Sequence, residues 1–395
     1  MLTVGDALSR LLALMDPAGV EEALPIEAAG RVLARPLAAR RTQPPFPASA
    51  MDGYAVRGEQ VRPGARFRVI GEAQAGRRFA GTVGPGEAVR LFTGAPVPPG
   101  ADRVVIQEDA AREGDAIVLG EGLDPQAYLR PAGTDFTEGE TMAAPRRLSP
   151  RDVALLAAMG HGRLPLRRRP VVALIPTGDE LVEPGAAPGP DQIVSSNAYG
   201  VAGVLAAQGA APRVLPIARD DAPSLRAAFR AAEGADLIVT LGGASVGEHD
   251  LVRQVAGDAG LALDFYRIAM RPGKPLMAGR MGATPMVGLP GNPVSAIVCA
   301  HVFLRPAVDA LLGLPAGPLP RETARLAAPI GPNGPREHYA RATLSRGTDG
   351  ALQVTVARRQ DSSLLSVLAE ADALAVLAPN APGRNENETL QIIRM

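Results

Sequence analysis

Four short polar loops hold the residue types from which phosphate, metal and oxyanion chemistry is built. They are Thr177-Gly-Asp-Glu180, Arg219-Asp-Asp221, Gly242-Gly-Ala-Ser-Val-Gly-Glu-His-Asp250 and Pro290-Gly-Asn-Pro293. A glycine loop turns successive backbone N–H groups toward an anion, and a helix behind it adds a positive dipole end. Gly242, Gly243, Ser245 and Gly247 therefore read as a phosphate or pyrophosphate cradle. The alternative is a tight strand-to-helix turn; Ser245 and Asp250 in the same loop favour a site. Asp179, Glu180, Asp220 and Asp250 are hard oxygen donors of the kind Mg2+ takes beside substrate phosphate and water. Asp221 reads better as a helix cap, and Asp179 also reads as a tie within its own loop.

Arg271-Pro-Gly-Lys274-Pro275, with Arg267 just ahead, holds cations on a proline-stiffened turn. Such a turn suits a small oxyanion, and equally a solvated basic surface. Two further segments lack any helix or strand period: Gln43-Pro-Pro-Phe-Pro-Ala-Ser-Ala-Met-Asp-Gly-Tyr-Ala-Val56, carrying Asp52, and Thr93-Gly-Ala-Pro-Val-Pro-Pro-Gly-Ala-Asp102. Each is either a connector or a shaped loop that delivers a polar group into a cleft. His161, His249, His301 and His338 are scattered without metal-ligand spacing, so none is assigned to zinc.

The elements that must position these loops follow from periodicity. Val171-Val-Ala-Leu-Ile175 and Asp236-Leu-Ile-Val-Thr-Leu241 are continuous apolar runs, and further strands are expected at 213–217, near 263–268 and at 285–289. Helices are expected between them, one capped by Asn197, one over 222–233 capped by Asp221, one from about Asp250 and a long one after Pro293. Fully apolar strands alternating with helices predict a doubly wound, mostly parallel α/β sheet covered on both faces. Ligands of such sheets bind beyond the carboxyl ends of the strands, where all four polar loops fall.

Around this domain, 51–140 carries short apolar runs broken by Gly and Pro and reads as a β-rich module. Thr3 with Asp6 and Ser149 with Asp152 are helix-start signatures, and Arg167-Arg-Arg-Pro170 marks a domain boundary. The expected division is 1–50 with 141–168, 51–140, 169–314, and a small C-terminal β-domain over 320–395.

Composition narrows the function classes. Lys plus Arg and Asp plus Glu are both 41, and a balanced charge argues against nucleic acid as a partner. Cys299, the single cysteine, lies in an apolar helical run and reads as buried packing. No uncharged stretch reaches about 18 residues, so no membrane span is expected, and the first ten residues read as a helix rather than a signal. Cytoplasm is the default location. With aromatics at 3% and no Trp, the cores must rest on Ala, Leu, Val and Ile.

Taken together, Phe46-Pro-Ala-Ser-Ala-Met-Asp-Gly-Tyr-Ala-Val56, Thr93-Gly-Ala-Pro-Val-Pro98, Pro176-Thr-Gly-Asp-Glu-Leu181, the glycine loop, Arg271-Pro-Gly-Lys-Pro275 and Gly288-Leu-Pro-Gly-Asn-Pro-Val-Ser-Ala296 resemble the MoeA family of molybdopterin molybdenumtransferases. That family is related to the cofactor-insertion domains of plants and animals. The resemblance runs in order along essentially the whole chain. It implies a molybdopterin-binding α/β domain and a β-barrel-like C-terminal domain. It further implies a homodimer whose cleft is shared between subunits, so that Asp52 and Thr93 enter from the partner chain.

Carried over residue by residue, the resemblance assigns Asp52, Thr93, Asp135, Glu180, Asp220 and Asp250 to catalysis, with Mg2+ on Asp220, Asp250 and Glu180. Gly242, Gly243, Ser245, Gly247, Arg267, Arg271, Lys274, Pro290, Asn292, Pro293, Ser295, Arg341 and Ser362 are expected to line the substrate pockets. Arg267 and Arg271 stand where the family often has Lys, which keeps the charge and changes its geometry. The implied reaction moves molybdenum from molybdate to adenylyl-molybdopterin with release of AMP. The preceding adenylyltransferase and the acceptor molybdoenzymes are the implied protein partners. The alternatives are an adenylyltransferase, whose fold resembles the 171–312 segment, and a non-catalytic scaffold dimer.

Overall fold

The computed structural model describes residues 1–243 and 251–395. At the N-terminus, Thr3 Oγ1 accepts the Asp6 N–H at 3.1 Å and donates to the Asp6 carboxylate at 2.7 Å, starting the helix Val4–Ala13. Its apolar face of Val4, Leu8 and Leu11 packs among Val172, Leu174, Val302 and Val308 of the central domain. The first helix thus belongs physically to the sheet domain, and the segment 1–50 is split. The strands Val20–Ala23 and Val32–Leu33 instead pair with Leu164–Arg167 and Arg146–Arg147 in a separate four-stranded sheet. Beside that sheet the helix Pro150–Ala158 opens on the Ser149–Asp152 capping box.

The β-rich module is a six-stranded sheet running from Gly53–Val56 to Ala116–Leu119. Its two apolar clusters, one around Phe67 and Ile117 and one around Leu91 and Val104, are separate from the core of the central domain.

The central sheet has the order Ala211–Val214, Val171–Pro176, Leu237–Leu241, Thr284–Leu289, Met277–Met281, Leu261–Tyr266. The first four strands are parallel to one another; Met277–Met281 runs against them, and Leu261–Tyr266, antiparallel to it, runs with them again. Alternation along Val171–Pro176 explains its apolar run: Val172 and Leu174 enter one core, Ala173 and Ile175 the other. Asn197–Gln208 and the helix starting at Pro293 cover the first face; Ala222–Ala231 and Leu251–Asp258 cover the second. Pro293–Leu311 is long and apolar enough to cross a bilayer, but 72% of its apolar window is buried inside the protein. It is a core helix here, and Cys299 is fully buried in it.

In the C-terminal domain, Glu337–Arg346 pairs with both Leu352–Val356 and Ala373–Leu377. Together with Glu322–Leu326 and Thr389–Arg394 this closes a five-stranded barrel filled by Val354, Ala375 and Ile392.

Two expectations shift. The strand expected at 213–217 is Ala211–Val214, and the helix expected over 222–233 ends at Ala231.

Candidate active site

The parallel register sets Pro176 opposite Leu241 and Leu241 opposite Leu289, so three strands end at one level. The loops that leave them are tied to one another by backbone. Thr177 N–H donates to Leu241 O at 3.0 Å, Gly242 N–H to Leu289 O at 3.2 Å and Gly178 N–H to Ala218 O at 3.1 Å. Gly242 and Gly243 have φ of 105° and 65°, and a Cβ on Gly243 would stand 2.1 Å from Val252 Cγ2. Only glycine allows that approach. Because the Gly242 N–H is already engaged, this residue is a strut of the edge, and phosphate donors of this loop would have to follow it. Ser245, Gly247 and Asp250 lie outside the described residues.

A small hollow of about 80 Å³ opens at this edge between Thr177, Glu180, Ser195, Asn197, Gly291 and Pro293. A larger cavity, about 470 Å³, lies elsewhere, between Phe229, Ile238, Met281 and Thr284 at the opposite ends of the strands. Its size does not make it the site, since among the described residues none of the convergent polar loops reaches it.

Acidic groups crowd one side of the edge. The Asp220 N–H donates to Asp179 Oδ1 at 3.2 Å. The Asp220 carboxyl is held above its ordinary range, first by partial withdrawal from water and then by the negative charge of Asp179 and Glu180. Crowded carboxylates of this kind favour a cation. Among the described residues no three His, Cys, Asp or Glu side chains are closed into a ligand set. Asp221 has the capping role expected of it, accepting the Ser224 N–H at 2.7 Å.

Cationic groups lie on a turn that packs on the long helix. Ile268 N–H donates to Lys274 O and Arg267 N–H to Leu276 O, each at 3.0 Å, closing the turn that carries Arg271 and Lys274. The Arg267 guanidinium stacks over Tyr266 at 5.0 Å. A Cβ on Gly273 would meet Cys299 Sγ at 2.5 Å, so the turn rests on the helix that also carries buried Ser295. Met270–Arg271 pairs with Glu337–His338 of the barrel. From the barrel side, Ser362 Oγ accepts from Asn292 Nδ2 at 3.0 Å, and Ser362 O accepts the Val294 N–H at 3.1 Å.

Arg341 behaves differently from a pocket-lining residue. Its side chain is 1% exposed; Nε donates to Gln360 Oε1 at 3.2 Å and Nη1 to Leu364 O at 3.3 Å. It braces the loop that presents Ser362. The structure thus brings together Glu180, Asp220, Gly242, Gly243, Pro290, Asn292, Pro293, Ser295 and Ser362 around one edge, with Lys274 and Arg271 on the adjoining turn.

Asp52, Thr93 and Asp135 do not join them within one chain. Asp52 accepts from the Thr93 N–H at 2.7 Å and the Thr93 hydroxyl at 2.8 Å, entirely inside the β-rich module. Those two bonds hold its carboxyl below the ordinary range, helped by Arg90. Asp135 is exposed, and its N–H goes to Gln43 O at 3.0 Å.

One residue was misassigned by sequence. Asn197 is not a helix cap; Ser196 occupies the N-cap, and Asn197 Nδ2 donates to Gly291 O at 2.6 Å. It thereby links a second helix to the Pro290 loop.

Known proteins match the chain in the same order as its domains. Residues 2–160 match the family described as MoeA N-terminal region (domain I and II), 173–310 a probable molybdopterin binding domain, and 323–395 the MoeA C-terminal region (domain IV). Molybdopterin molybdenumtransferase 2 of Mycobacterium tuberculosis is 37% identical over 331 residues, covering 80% of this chain and 82% of its own. The Haemophilus influenzae molybdopterin molybdenumtransferase is 32% identical over 401 residues, covering 99% and 98%. The crystal structure of the molybdopterin biosynthesis moeA protein of Pyrococcus horikoshii matches with a TM-score of 0.86 at 28% identity, covering 100% of this chain and 99% of that one.

Proposed function

Since this chain belongs to the MoeA family of molybdopterin molybdenumtransferases, we propose that it inserts molybdenum from molybdate into molybdopterin, acting on the adenylylated pterin and releasing AMP. The observation that carries this reading is the convergence of the strand-end loops. Crowded carboxylates around Asp220 stand on the same edge as the loop that carries Asn292 and leads to Ser295.

Lys274 and Arg271 supply fixed positive charge for the molybdate dianion, with the Ser295 hydroxyl as a neutral donor. The glycine loop that begins at Gly242 is assigned to the phosphates of the pterin substrate. Asn197, bonded to Gly291, and Ser362, bonded to Asn292, hold the Pro290 loop in place while substrates exchange. The raised Asp220 carboxyl fits a divalent cation. Asp220 and Glu180, together with Asp250, would hold Mg2+, whose chemistry when bound is to neutralise charge on the substrate phosphates. A second copy of the chain contributes Asp52, Thr93 and Asp135, a reading supported by the way the hydrogen bonds between Asp52 and Thr93 stay within their own module. The reaction belongs to the cytoplasm.

The test is a turnover assay with purified protein, adenylylated pterin and Mg2+, with and without molybdate, following AMP. Molybdate-dependent release is expected; release unaffected by molybdate overturns the coupling. ATP-dependent adenylylation of molybdopterin by the same protein would replace this reading with an adenylyltransferase. The matches to both flanking MoeA regions speak against that outcome.

A further inference from the structure

At the opposite end of the central sheet, arginines from three segments meet over a cavity of about 180 Å³. It is lined by Arg31, Arg147, Arg167 and Arg169 and closed by Ala207 and Gly209 of the helix end; among the described residues no carboxylate lines it. Strand register makes this arrangement. Arg147 pairs with Val32, and Leu33 pairs with Leu166, so antiparallel geometry sets Arg167 level with Val32 on the other side. Residues opposite one another on neighbouring strands share a face, and Arg147 and Arg167 therefore flank Val32 on one face of the small sheet.

The charges are only partly balanced. Arg31 pairs with Glu21, and Arg147 reaches Asp309 at 2.9 Å and Gln208 O at 3.0 Å. Arg167 Nη1 is held by Ala18 O at 2.9 Å, but its Nε is buried with no hydrogen-bond partner. Arg169 is exposed and has no ion pair or side-chain hydrogen bond among the described residues. Four guanidinium groups thus meet two carboxylates, and the like charges repel across a space large enough for an ion and its waters.

We infer that this cavity is a second anion site, specific for a phosphate group, that clamps the N-terminal sheet onto the amino ends of the central strands. Guanidinium forks match the oxygens of a tetrahedral dianion, and a bound phosphate would offset the two unbalanced charges. The site is separate from the carboxyl-end cleft, and nothing in the proposed molybdenum transfer requires it.

The probes are inorganic phosphate and AMP, titrated calorimetrically into the full-length protein at fixed ionic strength. Two variants leave the fold intact: Arg169→Ala removes an exposed side chain without partners, and Ala207→Glu places a carboxylate on an exposed helical position facing the cavity. Saturable phosphate binding is expected, weakened about tenfold in Arg169→Ala and abolished in Ala207→Glu, while Lys274→Ala in the cleft leaves it unchanged. Tighter binding of AMP than of phosphate with the same variant pattern identifies an ester as the occupant; equal or weaker binding identifies the free ion. No saturable binding, or binding lost in Lys274→Ala and kept in Ala207→Glu, overturns the inference. AMP release in the turnover assay is read separately, so failure here leaves the transferase reading standing.

Discussion

Asn292 and Ser362 join two domains through a single side-chain hydrogen bond of 3.0 Å, reinforced by the Val294 N–H on the Ser362 carbonyl at 3.1 Å. The barrel therefore fixes the loop that begins the long helix, and Arg341 fixes the segment that carries Ser362. Removing the hydroxyl leaves the backbone contact in place. We expect Ser362→Ala to lower kcat/KM about fivefold, the worth of one neutral hydrogen bond near 1 kcal/mol, with little change in the unfolding midpoint. Steady-state kinetics with both substrates check this, and unchanged kinetics would mean that the contact does not position the loop.

Thr93 sets the ionisation of Asp52. Its N–H and hydroxyl both donate to the same carboxylate oxygen, so the folded pKa lies below the ordinary 3.8. An acid with a depressed pKa stays charged to lower pH. Thr93→Ala removes the hydroxyl donor, and Asp52 is expected to protonate at higher pH than in the parent, whereas Thr93→Ser keeps the parent value. Carboxyl-carbon NMR titration reads this directly, and identical titration curves for all three proteins would refute it.

Gly273 has φ of 110° and no room for a side chain above Cys299 Sγ. Gly273→Ala combines backbone strain with overpacking, and we expect a loss of about 1–3 kcal/mol in urea unfolding. The cationic turn should shift with it, raising the KM for molybdate. Adding Cys299→Ala makes space for the new methyl group and is expected to return part of the stability, though not the cost of the positive φ. A double variant no more stable than the single one would rule out the steric cause.

These examples mark what the sequence could and could not disclose. Thr3–Asp6, Ser149–Asp152 and Asp221 act over three residues, so their roles were legible in the local pattern. The apolar runs located the central strands because burial on both faces leaves no other composition. Strand ends were less legible: the edge strand stops at Val214 although its partner continues to Pro176, and the pairing, across some forty positions, resumes only at the Thr177–Ala218 bridge. Gly273 over Cys299, the docking of Val4–Ala13 on the central domain and the burial of Arg341 depend on packing between distant segments, which no local spacing encodes. Asp52 and Thr93 were recognisable as a pair of unusual loops, but no local spacing encodes their separation from Asp220 within one chain; only the family resemblance implied it.

That separation makes the proposed shared cleft testable by complementation. Asp52→Ala and Asp220→Ala should each be inactive alone. Mixed by unfolding and refolding, they are expected to form dimers in which one of the two clefts receives an intact Asp52 from one chain and an intact Asp220 from the other. Random pairing puts half the molecules in mixed dimers with one working site of two, so about a quarter of parent activity is expected. An inactive mixture that nevertheless contains mixed dimers would show that each chain uses its own Asp52.

Asp220 offers the most direct test of a cation at the acidic edge. Its folded pKa is raised by withdrawal from water and by Asp179 and Glu180. A carboxyl with a raised folded pKa binds its proton more tightly in the native state, so stability falls as pH climbs from the unfolded value of 3.8 through the folded one. Asp220→Asn removes that penalty. Without divalent cations, the variant should melt above the parent at neutral pH, and the difference should shrink as pH drops below the unfolded value. Mg2+ should then reverse the order, raising the parent's melting temperature by mass action and leaving the variant's unchanged. Equal stabilisation of both proteins by Mg2+ would move the cation away from Asp220.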